Sequence, residues 1–382
     1  MLWYTPHMLE DKDFLDKTDS ENAHFMHFTN GVLDMKRRLL LPHDPKYYMI
    51  LTTKRPYVAR DDVPEEDMIR ARKLMLDNQE LGEAKTAEYA KRLARGLTGE
   101  QERNFNVLMG PNGGGGKGFT SRACGAAFGE YARETHANTF SLTSNSGDSS
   151  KPRPKLADLQ HARLLFTSEL APGLTLDGNM LKKLTGGDKI TEGRQLYCKA
   201  RLFVPQFKLF LCCNDMPPIQ PLDRPTTVRL DLFVQRVEWV PKRFFNPSNP
   251  NHRLQDPSNE EYIRTPGFAA AWLHILLDYL ALWEQEGYLA IADPEAAEWV
   301  EQYNPLQQAI EENFTVTKNT GDKVPVKAFN AAVRKVKGGA GLSDKKIKCM
   351  VKEAHLGLEE AKSNGSMFWR GIAYQAFPES EL

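Results

Sequence analysis

Disulfide bridges and cysteine-rich metal centres are the first features that this sequence lacks. The chain of 382 residues has five cysteines, an odd number that contains no CxxC pair. Such spacing provides neither a disulfide framework nor a zinc site, and it is typical of a reducing compartment.

A membrane-spanning segment and a secretory signal are lacking as well. The longest apolar stretch, residues 268–283, is interrupted by His274 and Asp278. It is too short to cross a bilayer, so it predicts a core helix and no membrane partner. The first residues contain no basic segment followed by an apolar run, which excludes a secretory signal. They resemble the middle of a longer protein, and we expect the chain to be a part of one.

Net charge is the third absence, because fifty Lys and Arg balance fifty Asp and Glu. Any surface for a polyanion must therefore be local. Residues 281–313 contain eight acidic side chains and no Lys or Arg, whereas residues 315–352 contain ten basic and two acidic ones. This reversal predicts a boundary near residue 305. The basic module that follows, residues 305–382, has the helix, basic helix and apolar ending of a winged helix.

The chain is otherwise composed like a folded protein, with 41% apolar and 26% charged residues. Asn30-Gly31 between apolar residues predicts a hairpin, since both turn positions tolerate positive φ, within a small β-rich element over residues 24–58. Residues 61–103 have the composition of a helical collar. From residue 104 to about 240, short apolar runs alternate with glycine-rich loops and helical stretches. This pattern predicts an α/β core with a largely parallel sheet.

A glycine-rich loop follows the first strand of that core, in the segment FNVLMGPNGGGGKGFTSR. Glycines let backbone N–H groups close around phosphate oxygens, and a following Lys reaches the terminal phosphates. The candidate nucleotide-binding residues are Gly110, Asn112, Gly113, Gly114, Gly115, Gly116, Lys117, Gly118 and Phe119. The alternative is a flexible loop with a solvated lysine.

This loop departs from the standard phosphate-binding motif in two ways. Pro111 stands where the motif expects Gly, and Gly110 lies one residue further back, which indicates one extra loop residue. Gly118 replaces the Ser or Thr that normally contacts Mg²⁺, and Thr120 or Ser121 are the hydroxyl residues that could compensate.

Two later apolar strands end in polar residues. HARLLFTSEL ends in Ser168 and Glu169, and a carboxylate there can orient Mg²⁺ and polarise the attacking water. FKLFLCC is followed by Asn214, whose amide could hold the water or the γ-phosphate. Taken singly, each residue could equally be a solvated or structural loop residue. We therefore predict Lys117, Glu169 and Asn214 as catalytic residues and Glu169 with Ser168 as the Mg²⁺ site, in part through water.

A basic segment, LKKLTGGDKITEGRQLY, lies between those two strands. A helix followed by a hairpin or loop could present cations to a nucleic-acid backbone, where affinity comes from phosphate neutralisation. The alternative is a solvated loop. The candidate DNA-binding residues are Lys182, Lys183, Lys189 and Arg194.

Together, GPNGGGGKG, RLLFTSEL, LKKLTGGDKITEGRQLY and FKLFLCCNDMPP resemble the superfamily 3 helicase domain of viral and phage replication proteins. The resemblance is to the helicase–primase branch of poxviruses, other large DNA viruses, phages and plasmids. It implies an AAA+-like P-loop ATPase core over residues 104–304, preceded by the end of a pre-helicase region in residues 1–60 and followed by the winged-helix-like module.

The resemblance also implies a function and its partners. A homo-hexameric ring would use ATP and Mg²⁺ to translocate 3′ to 5′ on single-stranded DNA and unwind a fork. An arginine of a neighbouring subunit would complete each site: Arg229 has the best spacing, with Arg224 and Arg236 as alternatives. A primase domain would lie upstream, and the protein would act in the cytoplasm of a host cell, at a viral replication site or in a bacterium.

Two other functions fit the same residues. A loading or remodelling ATPase would use the same nucleotide site without unwinding DNA. A DNA-binding scaffold would have lost hydrolysis, which Gly118 and the extra loop residue favour and Glu169 opposes.

Overall fold

The computed structural model describes residues 17–19, 22–79, 81–110, 114–142, 156, 158–187, 190–193, 201–290, 305–336, 339, 342–354, 356–363 and 365–375. The chain divides into two compact units, residues 1–217 with 228–292, and residues 218–227 with 293–382.

Ten helices and nineteen strands are formed by the described residues. The helices are α1 (Glu65–Gln79), α2 (Glu83–Leu97), α3 (Lys117–Phe128), α4 (Gly178–Leu184), α5 (Arg224–Thr227), α6 (Ser258–Tyr262), α7 (Pro266–Glu286), α8 (Pro305–Asn313), α9 (Val326–Lys335) and α10 (Asp344–Glu353). The strands are β1 (Phe25–Phe28), β2 (Gly31–Asp34), β3 (Leu39–Leu41), β4 (Phe105–Met109), β5 (Ala132–His136), β6 (Leu164–Ser168), β7 (Leu176–Asp177), β8 (Ile190–Gly193), β9 (Arg201–Phe203), β10 (Lys208–Cys213), β11 (Ile219–Gln220), β12 (Leu230–Val234), β13 (Glu238–Val240), β14 (His252–Leu254), β15 (Phe314–Val316), β16 (Lys323–Pro325), β17 (Glu359–Ser363), β18 (Ser366–Arg370) and β19 (Ile372–Tyr374).

A five-stranded sheet forms the centre of the larger unit, in the order β12-β4-β10-β6-β5. All four pairings are parallel. The three central strands, β4, β6 and β10, are buried over most of their length, as expected for a parallel sheet covered on both faces. Because parallel strands end at one edge, the residues that follow β4, β6 and β10 lie close together. The predicted α/β core with a parallel sheet is confirmed.

Helix α7 is the longest of the described helices and packs against other helices of the larger unit. It begins at Pro266, and the Thr265 hydroxyl caps it by accepting a hydrogen bond from the Phe268 amide at 3.1 Å. Ten of its residues are buried, and it packs against α1 and α2. Among the described helices it alone has the length and apolar composition of a membrane span, but 56% of its apolar window is buried inside the unit. It is therefore the core helix that the sequence predicts.

The predicted hairpin is formed by β1 and β2, which pair antiparallel with Phe28 opposite Gly31. The turn is consequently Thr29-Asn30 and not Asn30-Gly31, and neither Asn30 nor Gly31 has a positive φ. Instead, the Asn30 side chain accepts from the Tyr57 amide at 2.7 Å and donates to the Tyr57 carbonyl at 2.9 Å. A contact distant in sequence fixes this turn, so the reason we gave for it was wrong.

The smaller unit has a core of its own. Helices α8, α9 and α10 pack with the antiparallel strands β16-β18-β17 and β15-β19. Trp369 of β18 is 2% exposed and lies edge-on to Phe329 of α9. The Ser343 hydroxyl caps α10 by accepting from the Lys346 amide. The unit thus contains the helices and strands expected of the C-terminal module, and its winged-helix-like arrangement stays a prediction.

Candidate nucleotide-binding site

The glycine-rich loop joins the end of β4 to the start of α3. Residues 111–113, which include Asn112 and Gly113 of the predicted site, lie outside the described residues. Gly116 precedes α3 with a φ of 77°, a conformation that L side chains rarely adopt. A Cβ atom on Gly116 would lie 2.4 Å from the side-chain oxygen of Asn78. Both the backbone conformation and the available space therefore require glycine at this position.

Lys117, the first residue of α3, turns back over the loop. Its Nζ donates to the carbonyl oxygen of Gly110 at 2.9 Å and to Oδ1 of Asn214 at 3.2 Å. The residue is 9% exposed, and burial lowers the pKa of its ammonium group. Two of the three predicted catalytic residues are thus in direct contact, although they are 97 positions apart in sequence.

Glu169 directly follows β6 and is exposed. It lines the same cavity as Lys117 and Asn214. Ser168 does not line this cavity; its hydroxyl is hydrogen-bonded to Nδ1 of His136 on the neighbouring strand β5 at 3.0 Å. The carboxylate and the hydroxyl predicted as one metal site consequently have different surroundings.

The two hydroxyl residues that could compensate for Gly118 are both buried and hydrogen-bonded elsewhere. Thr120 Oγ1 accepts from the Asn78 side chain at 3.1 Å, and Ser121 Oγ donates to the Glu134 carboxylate. Neither residue lines the cavity, whereas Gly118 does. Among the described residues, no three His, Cys, Asp or Glu side chains are grouped to hold a metal. The donor set suits Mg²⁺, which prefers one or two carboxylates together with phosphates and water.

The cavity has a volume of about 670 Å³, within the usual range for small-molecule sites. Besides Glu169, Asn214 and residues 114–119, its wall contains side chains that the sequence analysis missed. They are Arg70, Lys73, Leu74, Asp77 and Asn78 of α1, Arg122 of α3, and Trp239, Gln255, Asp256, Asn259 and Glu260. Helix α1 was predicted as part of a separate collar, yet it forms one side of the site.

Asn78 is the clearest of these missed residues. It is 8% exposed, and its side-chain nitrogen donates to the Gly116 carbonyl and to the Thr120 hydroxyl, each at 3.1 Å. The side chain therefore supports the glycine loop from behind. Its place near the end of a polar helix gave no local signal of this role.

The predicted DNA-binding residues are only partly described. Helix α4 is capped by the Asp177 carboxylate and carries Lys182, which is half-buried, and Lys183, which is exposed. Lys189 and Arg194 lie outside the described residues. Strands β8 and β9 pair antiparallel, so the expected order of basic helix and hairpin is present.

The three candidate arginines occupy different places. Arg229 immediately precedes β12, and its carbonyl accepts from the Phe105 amide at the start of β4 at 2.7 Å. It therefore lies at the opposite edge of the sheet from the glycine loop, about 16 Å away for a strand of this length. Arg236 follows β12 and is exposed, and Arg224 begins α5 in the smaller unit.

The chain is similar in sequence to two viral proteins. No family model matches the chain. It is 26% identical over 291 residues to the putative helicase V13 of Sputnik virophage, covering 75% of this chain and 37% of that protein. It is 27% identical over 286 residues to the putative helicase L207/L206 of Acanthamoeba polyphaga mimivirus, covering 73% and 29%.

The chain thus spans about a third of the length of these two relatives. Among solved structures, an apo form of the NrS-1 C-terminal region aligns with 88% of this chain and 86% of its own, at 14% identity and a TM-score of 0.46. The apo structure of NrS-1 residues 305–718 covers 84% and 78%, at 15% identity and a TM-score of 0.41. The predicted resemblance to viral helicases is confirmed by these two relatives, which are both named putative helicases.

Proposed function

We propose that this chain is the motor of an ATP-dependent DNA helicase in a viral replication system. The observation that supports this most directly is the grouping of Lys117, Asn214 and Glu169 beside a glycine loop and a nucleotide-sized cavity. The relationship to putative helicases of a virophage and a giant virus supports the same function.

Each residue has a distinct role in hydrolysis. The backbone N–H groups of the glycine loop and the positive end of α3 hold the β- and γ-phosphates. Lys117 exchanges its contact with the Gly110 carbonyl for contacts with the phosphate oxygens. Asn214 keeps the Lys117 Nζ atom in position. Glu169 orients and polarises the attacking water. Mg²⁺, held by the phosphates, water and Glu169, supplies charge neutralisation when bound.

The active form is a hexameric ring in which a neighbouring subunit supplies an arginine. Arg229 lies about 16 Å from the glycine loop of its own subunit, so any nucleotide that it contacts would be that of a neighbour. Lys182, Lys183, Lys189 and Arg194 would face the central channel and contact the phosphates of single-stranded DNA, with movement 3′ to 5′ towards a fork. We further propose an associated primase domain and action in the cytoplasm.

The first test measures ATP hydrolysis with and without single-stranded DNA, while mass measurement follows assembly. We expect DNA to stimulate turnover of the assembled form. Glu169→Gln should lower ATP turnover by about 10²-fold or more, while nucleotide binding persists. DNA binding without hydrolysis, even in an assembled form, would favour a scaffold.

Two further measurements separate the other candidates. Lys117→Ala abolishes ATP turnover in a motor, whereas a scaffold has no turnover to lose. Strand displacement from a forked substrate distinguishes a helicase from a loading ATPase, since both use the same nucleotide site. Hydrolysis without displacement would reject the helicase and favour the loader.

A further inference from the structure

The cavity extends well beyond the residues that bind phosphate. One part is formed by the glycine loop, Lys117, Asn214 and Glu169. The other part is formed by helix α1 and by the segment 239–260, neither of which belongs to a phosphate-binding motif. This second part has no role in the hydrolysis described above.

In the second part of the cavity, side-chain contacts join helix α1 to helix α6. The Arg70 guanidinium of α1 lies 4.0 Å from the Tyr262 ring centroid and donates to the side chains of Ser258 and Asn259 at 3.3 Å. The Tyr262 hydroxyl donates back to the Asp67 carbonyl at 3.1 Å. These contacts hold α1 against α6, so this part of the cavity is formed before any ligand binds.

Two of the three cations on these walls have anionic partners, and the third, Arg70, is held by the neutral side chains named above. Arg122 of α3 forms a two-pronged ion pair with Glu260, and Lys73 is paired with Asp77 one turn along α1. Asp256, Gln255 and Asn259 add further oxygen acceptors to the wall. With three cationic and three anionic side chains, this wall has no excess of positive charge for another phosphate group, and its oxygen acceptors suit amino groups that donate hydrogen bonds.

Apolar surface is provided by Leu74, Phe119 and Trp239. The Trp239 amide donates to the Gly114 carbonyl at 2.9 Å, which places this residue directly beside the glycine loop. Its indole nitrogen is buried, so the ring atoms that remain accessible are carbons. A flat ring joined to a triphosphate could pack on this carbon surface.

We propose that this second part is a base subsite, in which Trp239 and Leu74 pack against an aminopurine ring and the oxygen acceptors receive its exocyclic amino group. The assignment rests on the proposed ATP-dependent function and specifies which residues would hold the base. It makes helix α1, outside the motor core by sequence, a specificity-determining element of the nucleotide site.

The experiment compares the binding of ATP and of inorganic tripolyphosphate, both with Mg²⁺, to the full chain. Tripolyphosphate has the phosphates of ATP and no base. We expect Trp239→Ala to weaken ATP binding by about tenfold or more, as for loss of one stacked base, and to leave tripolyphosphate binding unchanged. Trp239→Phe should retain most of the ATP affinity, and Leu74→Ala should show the same selective loss as Trp239→Ala.

The control is Lys117→Ala, which should weaken the binding of both ATP and tripolyphosphate. An equal loss of ATP and tripolyphosphate in Trp239→Ala, with unaltered thermal unfolding, would overturn the base subsite while leaving the proposed function intact. Unchanged ATP affinity in both Trp239→Ala and Leu74→Ala would overturn it as well. If the wild type bound neither ligand, the proposed function itself would fail, and the subsite with it.

Discussion

The side-chain nitrogen of Lys117, the first residue of α3, lies 3.2 Å from the side-chain oxygen of Asn214, which follows β10. The Lys is buried, so its charge is shielded from water and is held by two oxygen atoms, from Gly110 and Asn214. A buried charge held in this way is ready to meet a phosphate without a large rearrangement of the protein.

Asn214→Ala tests this relationship. We expect turnover of ATP to fall by about 10²-fold, because Lys117 loses its lateral partner and the γ-phosphate loses a positioning group. Steady-state ATP hydrolysis with a parallel binding assay measures the effect. Asn319→Ala, an exposed asparagine of the smaller unit, serves as control and should leave turnover unchanged. A fall of less than twofold in Asn214→Ala would contradict the role of this contact.

Asn78→Ala should remove the hydrogen bonds that support the glycine loop. Its amide makes two hydrogen bonds in a buried place, so we expect a loss of about 1–3 kcal/mol in the free energy of unfolding. Nucleotide affinity should fall as the loop loosens. Urea unfolding and ATP binding measure the two effects. Arg72→Ala, a change on the same helix, removes an exposed ion pair with Asp278 of α7 and should change neither; equal behaviour of the two variants would contradict the prediction.

Alanine at two glycines of the loop should have unequal effects. Gly116→Ala meets both a positive φ and the Asn78 side chain, so we expect ATP affinity to fall by at least about tenfold. Gly114→Ala meets no positive φ, but its Cβ atom would lie 2.5 Å from Cγ of Glu238, whose side chain must shift, and 3.3 Å from the Trp239 backbone. A binding titration of both variants checks this order, and an equal or greater loss in Gly114→Ala would be inconsistent with the described loop.

A buried carboxyl group predicts a pH dependence of stability. Asp19 is fully buried, and desolvation raises its pKa to about 6. Hydrogen bonds from the Ile50 and Leu51 amides to its carboxylate lower the pKa, but by less than desolvation raises it. Since the folded pKa lies above the ordinary value, its stabilising contribution is complete below about pH 4 and is lost as the pH rises through 6. The loss amounts to roughly 3 kcal/mol.

Asp19→Asn should remove this dependence, because the amide stays neutral and keeps the oxygen acceptor. We expect the stability of the wild type relative to Asp19→Asn to decline between pH 4 and pH 7 in urea unfolding. Parallel pH profiles of the two proteins would show that Asp19 does not titrate in this range.

The sequence predicts the parts of the site that follow local rules. A strand, a glycine run and a lysine predict the loop around Gly116 and Lys117, and the parallel sheet predicts that Glu169 and Asn214 come to the same edge. Asn78 and Trp239 could not be predicted, because their contacts join segments far apart and leave no periodic pattern. The hairpin shows the same limit, since Asn30 is fixed by the distant Tyr57 backbone and not by positive φ.

The two units have separate hydrophobic cores, one around Trp272 of α7 and one around Trp369 of β18. Each hydrophobic core unfolds cooperatively as a unit. Because this chain has two cores, heating should produce two calorimetric transitions. Only the transition of the larger core should move to higher temperature when ATP binds, because ligand stabilises the unit that holds it. A single melting temperature for the chain would then average two independent events.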